Sequence, residues 1–270
     1  MDCSDGLLIK LEQVRQRLVG YRRVVVAFSG GVDSTLLAVL ARQALGRSHA
    51  LAVTADSPSL SRGDFAEACW LANQLDLAHA VIQTKEVEDR VYQANTAARC
   101  YICKHTLFKE LEQLAQAQGI SAILYGAIGD DQPDHRPGQR AAVEQGVGAP
   151  LQEVGLSKED VRHVAKSLGL PNWDRPQNAC LSSRIPHGDA VTVEKLHQVE
   201  QAEAVLREHG FRQIRVRHHG THARHEVGQD EVTRLHESSL GEAVRVRLTA
   251  LGFVTVEMDR AGYHSGGADT

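Results

Sequence analysis

The stretch Ser29-Gly30-Gly31-Val32-Asp33-Ser34 constrains this chain more than any other. It follows the apolar run Val24–Phe28 and precedes the apolar Thr35–Ala41. That order reads as a buried strand, a tight glycine turn and a helix N-terminus. Such a junction binds anions, because unpaired backbone N–H groups point outward and the helix dipole favours negative charge. Gly30 and Gly31 permit positive φ and let the backbone approach a phosphate closely. Ser29 and Ser34 add hydroxyl donors. Asp33 is placed to cap the helix, or to position a Mg²⁺ held by phosphates. The lysine of GxxxxGK[ST] is missing, and so is GxGxxG spacing, which excludes a Walker loop and a dinucleotide fingerprint. Taken alone, the turn is also compatible with an ordinary glycine-rich connection.

In its full context, VVVAFSGGVDSTLL, the turn resembles the pyrophosphate loop (PP-loop) of the ATP pyrophosphatase superfamily. The resemblance implies splitting of ATP to AMP and pyrophosphate, with adenylation of a substrate oxygen. The 270 residues suffice for one large domain or two modest ones. A formal net charge of −4 argues against wrapping long stretches of nucleic acid. No apolar run reaches membrane-spanning length, and the N-terminus is charged and helical in pattern. Five cysteines without an export signal point to the cytoplasm and reduced thiols.

The first half alternates strand and helix. Strands are expected at Val24–Phe28, Ala50–Thr54, Ala80–Thr84 and Ala122–Tyr125. Helices are expected at Leu7–Leu18, Ser34–Leu45, from Ser61 or Asp64 to Leu75, Lys104–Gln118 and Ser157–Leu168. This βαβα rhythm predicts an α/β fold with a doubly wound parallel sheet, and ligands then sit outside the strands' C-terminal ends. Thr54 and Ser57, at the end of the second strand, are expected to meet adenine and ribose. Gly126 ends the fourth strand and opens a loop carrying Asp130, Asp131 and Asp134. That loop is either a solvated acidic turn or a carboxylate supplier to the nucleotide; Asp131 is taken as the ATP-side residue.

Cys100 and Cys103 form a CxxC in NTAARCYICKH, expected just before a helix, and Cys180 lies in PQNACLSSRIPHG. A CxxC is compatible with an incidental pair, a zinc half-site or a redox disulfide; no second CxxC completes a zinc ribbon. Three thiolates on one site would suit a [4Fe–4S] cluster with one open iron. Pro176 and Pro186 stiffen the Cys180 loop, and the charge of Arg184 would favour a thiolate. Cys3 and Cys69 read as structural.

SGGVDS, TADSPSLSR, RCYICK, the loop Gly129 to Gly138, and PxNACLSSRIPxG together resemble the LarE family, in order along nearly the whole chain. The resemblance implies an ATP-dependent sulfur transferase of nickel-pincer nucleotide biosynthesis. Its substrate would be pyridinium-3,5-biscarboxylic acid mononucleotide, whose carboxylates are adenylated in turn and end as thiocarboxylates, for the nickel cofactor of lactate racemase. Family members with one motif cysteine surrender the sulfur of the residue matching Cys180, leaving dehydroalanine. Members with three cysteines, as here, resemble the type that carries a [4Fe–4S] cluster. A tRNA thiolase of the same superfamily is the alternative, disfavoured by the acidic net charge and the lack of a basic extension.

The last third changes texture. A helix over Val191–Glu208, strands at Arg212–Arg217, His222–Val227 and Phe253–Glu257, and a helix over Glu242–Leu251 predict a small α+β domain. Arg215 and Arg217, two apart on a strand, share a face and form a candidate phosphate clamp; a solvated face is the plain alternative. Ser183, Arg184 and Glu203 join them as substrate-side candidates, and Glu226 and Asp230 as carboxylates of unassigned role. His218, His219, His222 and His225 read as solvated rather than metal-binding. The expected organisation is therefore an ATP-binding adenylation domain over 1–185, a substrate-binding domain over 186–260 and a flexible tail over 261–270. ATP, Mg²⁺ (through Asp33) and a [4Fe–4S] cluster are the expected cofactors. A nucleotide substrate, further copies of the chain and other enzymes of the same biosynthesis are the expected partners, with no nucleic acid and no membrane.

Overall fold

The computed structural model describes residues 5–130, 137–235 and 238–264. In chain order the helices are α1 (Asp5–Tyr21), α2 (Val32–Leu45), α3 (Arg62–Gln74), α4 (Arg90–Gln93), α5 (Arg99–Ala117), α6 (Pro137–Glu144), α7 (Pro150–Glu153), α8 (Lys158–Ser167), α9 (Val193–Glu208), α10 (Val232–Leu235) and α11 (Ser238–Ala250). The strands are β1 (Val24–Ala27), β2 (Ala50–Asp56), β3 (Ala78–Gln83), β4 (Ala122–Tyr125), β5 (Ile214–His219), β6 (His222–Val227) and β7 (Thr255–Met258). The chain divides into two compact units. Unit one holds the residues through Ser57, Arg62–Glu86 and Cys100–Asn178; unit two holds Pro58–Ser61, Val87–Arg99 and the residues from Ala179 onward.

Unit one is built on a parallel sheet in the order β3-β2-β1-β4. Alternate residues of β1 serve opposite faces. Val24 and Val26 pack with Leu36 and Leu37 of α2, Leu18 of α1 and Val161 of α8. Val25 and Val53 pack with Phe108 and Leu111 of α5 and Ala142 of α6. Both faces are thus covered, which is why β1 is continuously apolar rather than alternating. The expected α/β doubly wound fold is the one observed. Truncating a fully buried side chain such as Leu37 to alanine would cost about 2–5 kcal/mol.

Some boundaries differ. β2 runs on to Asp56 because its pairing with β3 extends from Leu51↔Ala78 to Asp56↔Gln83, which also moves β3 two residues earlier than expected. Helix α5 starts at Arg99 rather than Lys104. Cys100 and Cys103 therefore lie in its first turn, three apart on one face, instead of preceding it. The intervening Tyr101 and Ile102 are weak helix formers, so tertiary packing overrides local preference here.

Unit two pairs β5 with β6 antiparallel and β6 with β7 parallel. β5 starts at Ile214, not Arg212, because the N–H groups of Arg212 and Gln213 donate to the Glu231 carboxylate instead of a ladder. Val216, Ala223 and Val227 pack with Val205 and Leu206 of α9, Val244 and Leu248 of α11, and Phe253. The units divide at Ala179, ahead of the expected boundary at residue 185, and unit two recruits two short earlier segments that sequence order cannot reveal. Residues 265–270 of the expected tail, like Cys3, Asp131 and Asp134, lie outside the described residues. Residues 262–264 belong to the fold: the Tyr263 N–H donates to Val227 O at 2.7 Å, and its ring carries the Arg215 guanidinium.

Two histidines expected to be solvated are buried, since alternation puts them on the helix-covered face. His218 meets Gln198 through Nε2 at 2.9 Å. His225, opposite Val216, is 3% exposed, and neither ring nitrogen has a hydrogen-bond partner. Burial pushes its pKa down to about 4. The unfolded chain, with a histidine near 6.5, binds more protons between these values, so stability present above pH 6.5 is lost as pH falls toward 4. The expected loss between pH 7 and 4.5 is on the order of 2–3 kcal/mol from this residue. Urea unfolding midpoints across that range should flatten by this amount in His225→Leu relative to the parent chain.

Candidate active site

At the C-terminal end of β1 the chain turns through Ser29–Gly31 into α2. Gly30 has φ +71°, and a Cβ there would lie 3.1 Å from the Ala68 Cα of α3. Only glycine satisfies both the conformation and the space. Gly31, with φ −71° and ψ 156°, is extended and simply precedes α2, so of the two glycines one alone needs left-handed backbone. The Ser34 hydroxyl donates to Gly31 O at 3.0 Å and lies 3.2 Å from the Ser29 hydroxyl, bracing the turn from within. The first-turn amides of α2 have no intrahelical acceptors by geometry, which makes the turn an anion cradle.

Asp33 does not cap α2. Its carboxylate receives Lys158 Nζ at 2.8 Å through both oxygens. Lys158 is the first residue of α8, whose Ser157 N-cap forms a capping box with Asp160. The Lys158 N–H in turn donates to Asp130 Oδ2 at 2.7 Å. The glycine turn, the loop after β4 and the start of α8 therefore converge. Lys158 supplies the cation that the turn itself lacks, and sequence reasoning missed it. The signal was there: SKED is a capping pattern, and it puts a lysine at a helix start facing the sheet's C-terminal edge. The carboxylate of Asp33 is the kind of oxygen donor a Mg²⁺ takes alongside phosphates and water.

Gly126 acts through packing. A Cβ there would meet Ser34 N at 2.7 Å, so its absence lets the end of β4 pass against the first turn of α2. Thr54 is 1% exposed. Its hydroxyl donates its one proton to Phe28 O at 2.9 Å, so His79 Nε2, also at 2.9 Å, carries a proton and donates to it. Burial lowers the pKa of His79, consistent with a neutral ring. The Thr54 side chain is thus occupied within the fold, which leaves its backbone for any contact with adenosine. Ser57 is buried, and its carbonyl accepts from Arg62.

In unit two, Cys180 is exposed and precedes a 3-10 turn, Leu181–Arg184. Cys180 O accepts from the Ser183 hydroxyl and from Arg184 Nη1, both at 2.8 Å. Arg184 itself is fully buried, its fork closed on Glu203 at 2.8 and 3.2 Å. Glu203 also accepts from the Val216 N–H and from Arg207. Arg217 is likewise buried and gives both arms to Glu226 at 2.8 Å, with a third donation to Ser183 O. Arg215 does share the face of Arg217, as the strand reading required. Burial, and next the Arg184 guanidinium, push its pKa down to about 10. The two arginines expected as a phosphate clamp thus lie in a buried charge network.

The turn after Cys180 is held by the recruited segments. Leu181 N–H donates to Ser59 O, the Tyr92 hydroxyl meets Ser182 Oγ at 2.6 Å, and Arg99 Nη1 donates to Ser182 O at 2.7 Å. Asn95, at φ +52°, holds Ile185 O and Pro186 O with its amide. Cys69, Cys100, Cys103 and Cys180 are all outside disulfides. Among the described residues, no three His, Cys, Asp or Glu side chains are arranged to hold a metal ion.

The comparisons agree with a PP-loop enzyme. The NAD synthase family model matches residues 9–113. An uncharacterized protein of Synechocystis sp. is 43% identical, with 95% of this chain and 96% of the relative covered. Pyridinium-3,5-bisthiocarboxylic acid mononucleotide synthase of Lactiplantibacillus plantarum is 36% identical, with 91% of this chain and 88% of the relative covered. The argininosuccinate synthase of Natronomonas pharaonis is 29% identical over 55% of this chain and 40% of its own length. The chain belongs to the LarE family of PP-loop ATP pyrophosphatases. It is accordingly an ATP-using, sulfur-transferring enzyme.

Two outcomes follow from this geometry. Lys158→Met should raise the KM for ATP by about tenfold or more, since a charge-assisted contact at a preorganised anion site is lost; steady-state pyrophosphate release measures it. Glu203→Ala leaves Arg184 without its carboxylate and should cost about 3–5 kcal/mol of stability, read from urea unfolding.

Proposed function

We propose that this enzyme adenylates the carboxylates of pyridinium-3,5-biscarboxylic acid mononucleotide in turn and converts each to a thiocarboxylate, for the nickel-pincer nucleotide of lactate racemase. The observation that carries the reading is the pairing of two features in one chain. One is the anion cradle with its Lys158–Asp33 pair; the other is an exposed Cys180 thiol whose peptide is clamped by Arg184. Ser29, Gly30, Gly31, Asp33 and Ser34 receive the ATP phosphates, and Lys158 exchanges Asp33 for phosphate oxygen. Thr54 and Gly126 act through backbone position, and Ser57 meets the adenosine. Mg²⁺, held by Asp33 and the phosphates, would offset the charge that builds on the departing pyrophosphate.

A substrate carboxylate oxygen attacks the α-phosphorus, the bond from that phosphorus to the bridging oxygen breaks, and pyrophosphate leaves with the electron pair. Sulfide then attacks the acyl carbon, and AMP leaves with the electrons of the C–O bond. Adenylation comes first because oxide is a poor leaving group and AMP a good one.

Arg215 and Arg217, with Ser183, Arg184 and Glu203 behind them, hold the substrate's phosphate. The concentration of cations supports this: Arg184, Arg215, Arg217 and Arg224 lie together around Glu203 and Glu226. An arriving phosphate dianion would be attracted to these guanidiniums.

Thiol chemistry fits a [4Fe–4S] cluster, which Cys100, Cys103 and Cys180 would hold and which would supply the sulfide. Chain continuity supports the assignment: Cys100 is the covalent neighbour of Arg99, whose guanidinium grips Ser182 O, two residues beyond Cys180. The exposure of Cys180 favours a second reading, in which that residue alone surrenders its sulfur. A cytoplasmic enzyme working as an assembly of like chains, alongside other enzymes of the pathway and without nucleic acid, completes the proposal. No described helix is long and apolar enough to cross a membrane.

Anaerobic reconstitution, iron analysis and intact mass after turnover test the sulfur source. The cluster reading expects about four irons per chain, their loss in Cys100→Ala, and an unchanged protein mass. A mass loss equal to one H₂S, with full activity in Cys100→Ala and Cys103→Ala, would instead establish Cys180 as a sacrificed donor.

A further inference from the structure

Gly30 O, at the turn of the cradle, is held by two side chains from the segment between α8 and Cys180. Asn172 Nδ2 donates to it at 2.9 Å and to Thr35 Oγ1 at 3.0 Å. Arg175 Nη1 donates to it at 3.0 Å. Both lone pairs of that carbonyl are therefore engaged by protein, which turns it away from the cradle and leaves N–H groups to face the phosphates. The second arm of Arg175 reaches Asp64 Oδ1, near the start of α3, at 2.6 Å. The other oxygen of Asp64 holds Asn178 Nδ2 at 2.7 Å. All six residues belong to unit one, and Asn178 is its last residue, two before Cys180.

We infer that the chain Gly30–Arg175–Asp64–Asn178 couples occupancy of the ATP cradle to the conformation of the Cys180 segment, with Arg175 and Asp64 as positioning residues. This rests on the assignment of the cradle to ATP. A guanidinium fork suits the role, because its two arms are rigidly related, so a shift of the Gly30 carbonyl under bound phosphate is passed to the carboxylate. Asp64, bonded through one oxygen to the fork and through the other to Asn178, passes the shift toward Cys180. A lysine at 175 has one ammonium and cannot hold both acceptors in fixed relation. The arrangement makes Cys180 sensitive to whether ATP is bound before sulfur is committed.

The test uses the full-length chain with iron stripped by bipyridyl. The rate of Cys180 alkylation by iodoacetamide is followed by peptide mass spectrometry, with and without Mg·ATP, and ATP affinity is measured separately by calorimetry. In the parent chain ATP should change the Cys180 rate about fivefold or more. Asn178→Ala, an exposed position, should keep ATP affinity and melting temperature while losing that response, and Asp64→Asn should lose the response as well. Arg175→Lys should lose the response and bind ATP more weakly. A parent chain that binds ATP without any change at Cys180, or an Asn178→Ala chain that keeps the full response, overturns the inference while leaving the ATP assignment intact. Failure of the parent chain to bind ATP would overturn the ATP assignment itself, and the coupling with it.

Discussion

The central position of β1 governs unit one. Flanked by β2 and β4 and covered by helices on both faces, it has no exposed side on which the chain can turn gradually. It leaves the sheet at its C-terminal edge, over Gly30, against α3. There the close approach to Ala68 admits no side chain. The helix that follows must therefore start beside the sheet edge, with its unpaired amides directed outward. Burying apolar surface, which stabilises the sheet, and presenting an anion site are consequences of the same chain path. Gly126 shows the same economy, since the end of β4 reaches the edge only by passing within contact of Ser34.

Unit two is organised differently. Its helix-facing layer is apolar apart from His218 and His225, but the other face of β5 and β6 buries guanidinium and carboxylate groups at almost no exposure. Buried ion pairs of this kind contribute little net stability, because desolvation offsets most of the attraction. What they provide is fixed geometry. Glu203 joins the turn after Cys180, through Arg184, to the outer edge of β5, through the Val216 N–H. Ser183 O accepts from Arg217, and Cys180 O from Arg184. An exposed cysteine is thus carried on a peptide whose carbonyls are held by charged donors, which fixes its position better than a flexible loop would.

The chemical division of labour follows. The cradle presents backbone amides beside one lysine from a distant helix. The charged face of unit two buries guanidinium and carboxylate groups together, where charge interactions are stronger than in water. The acidic net charge of −4 sits alongside this local concentration of arginine, so charge composition by itself says little about what such a face binds.

The alternation of apolar runs with helical periods determined the parallel sheet, and SGGVDS determined the anion cradle, because both depend on spacing within a few residues. The shared face of Arg215 and Arg217 was legible for the same reason. Tertiary structure decided the rest. Lys158 reaches Asp33 across 125 residues, and Arg175 reaches Gly30 across 145. Which carboxylate each buried arginine meets depended on Glu203 and Glu226 arriving from α9 and β6. Thr54 proved to be consumed by Phe28 O and His79, and segments 58–61 and 87–99 joined unit two, through contacts that no local pattern encodes. Local periodicity fixes which face a residue takes; only packing fixes which partner it meets there, since that partner lies far away along the chain.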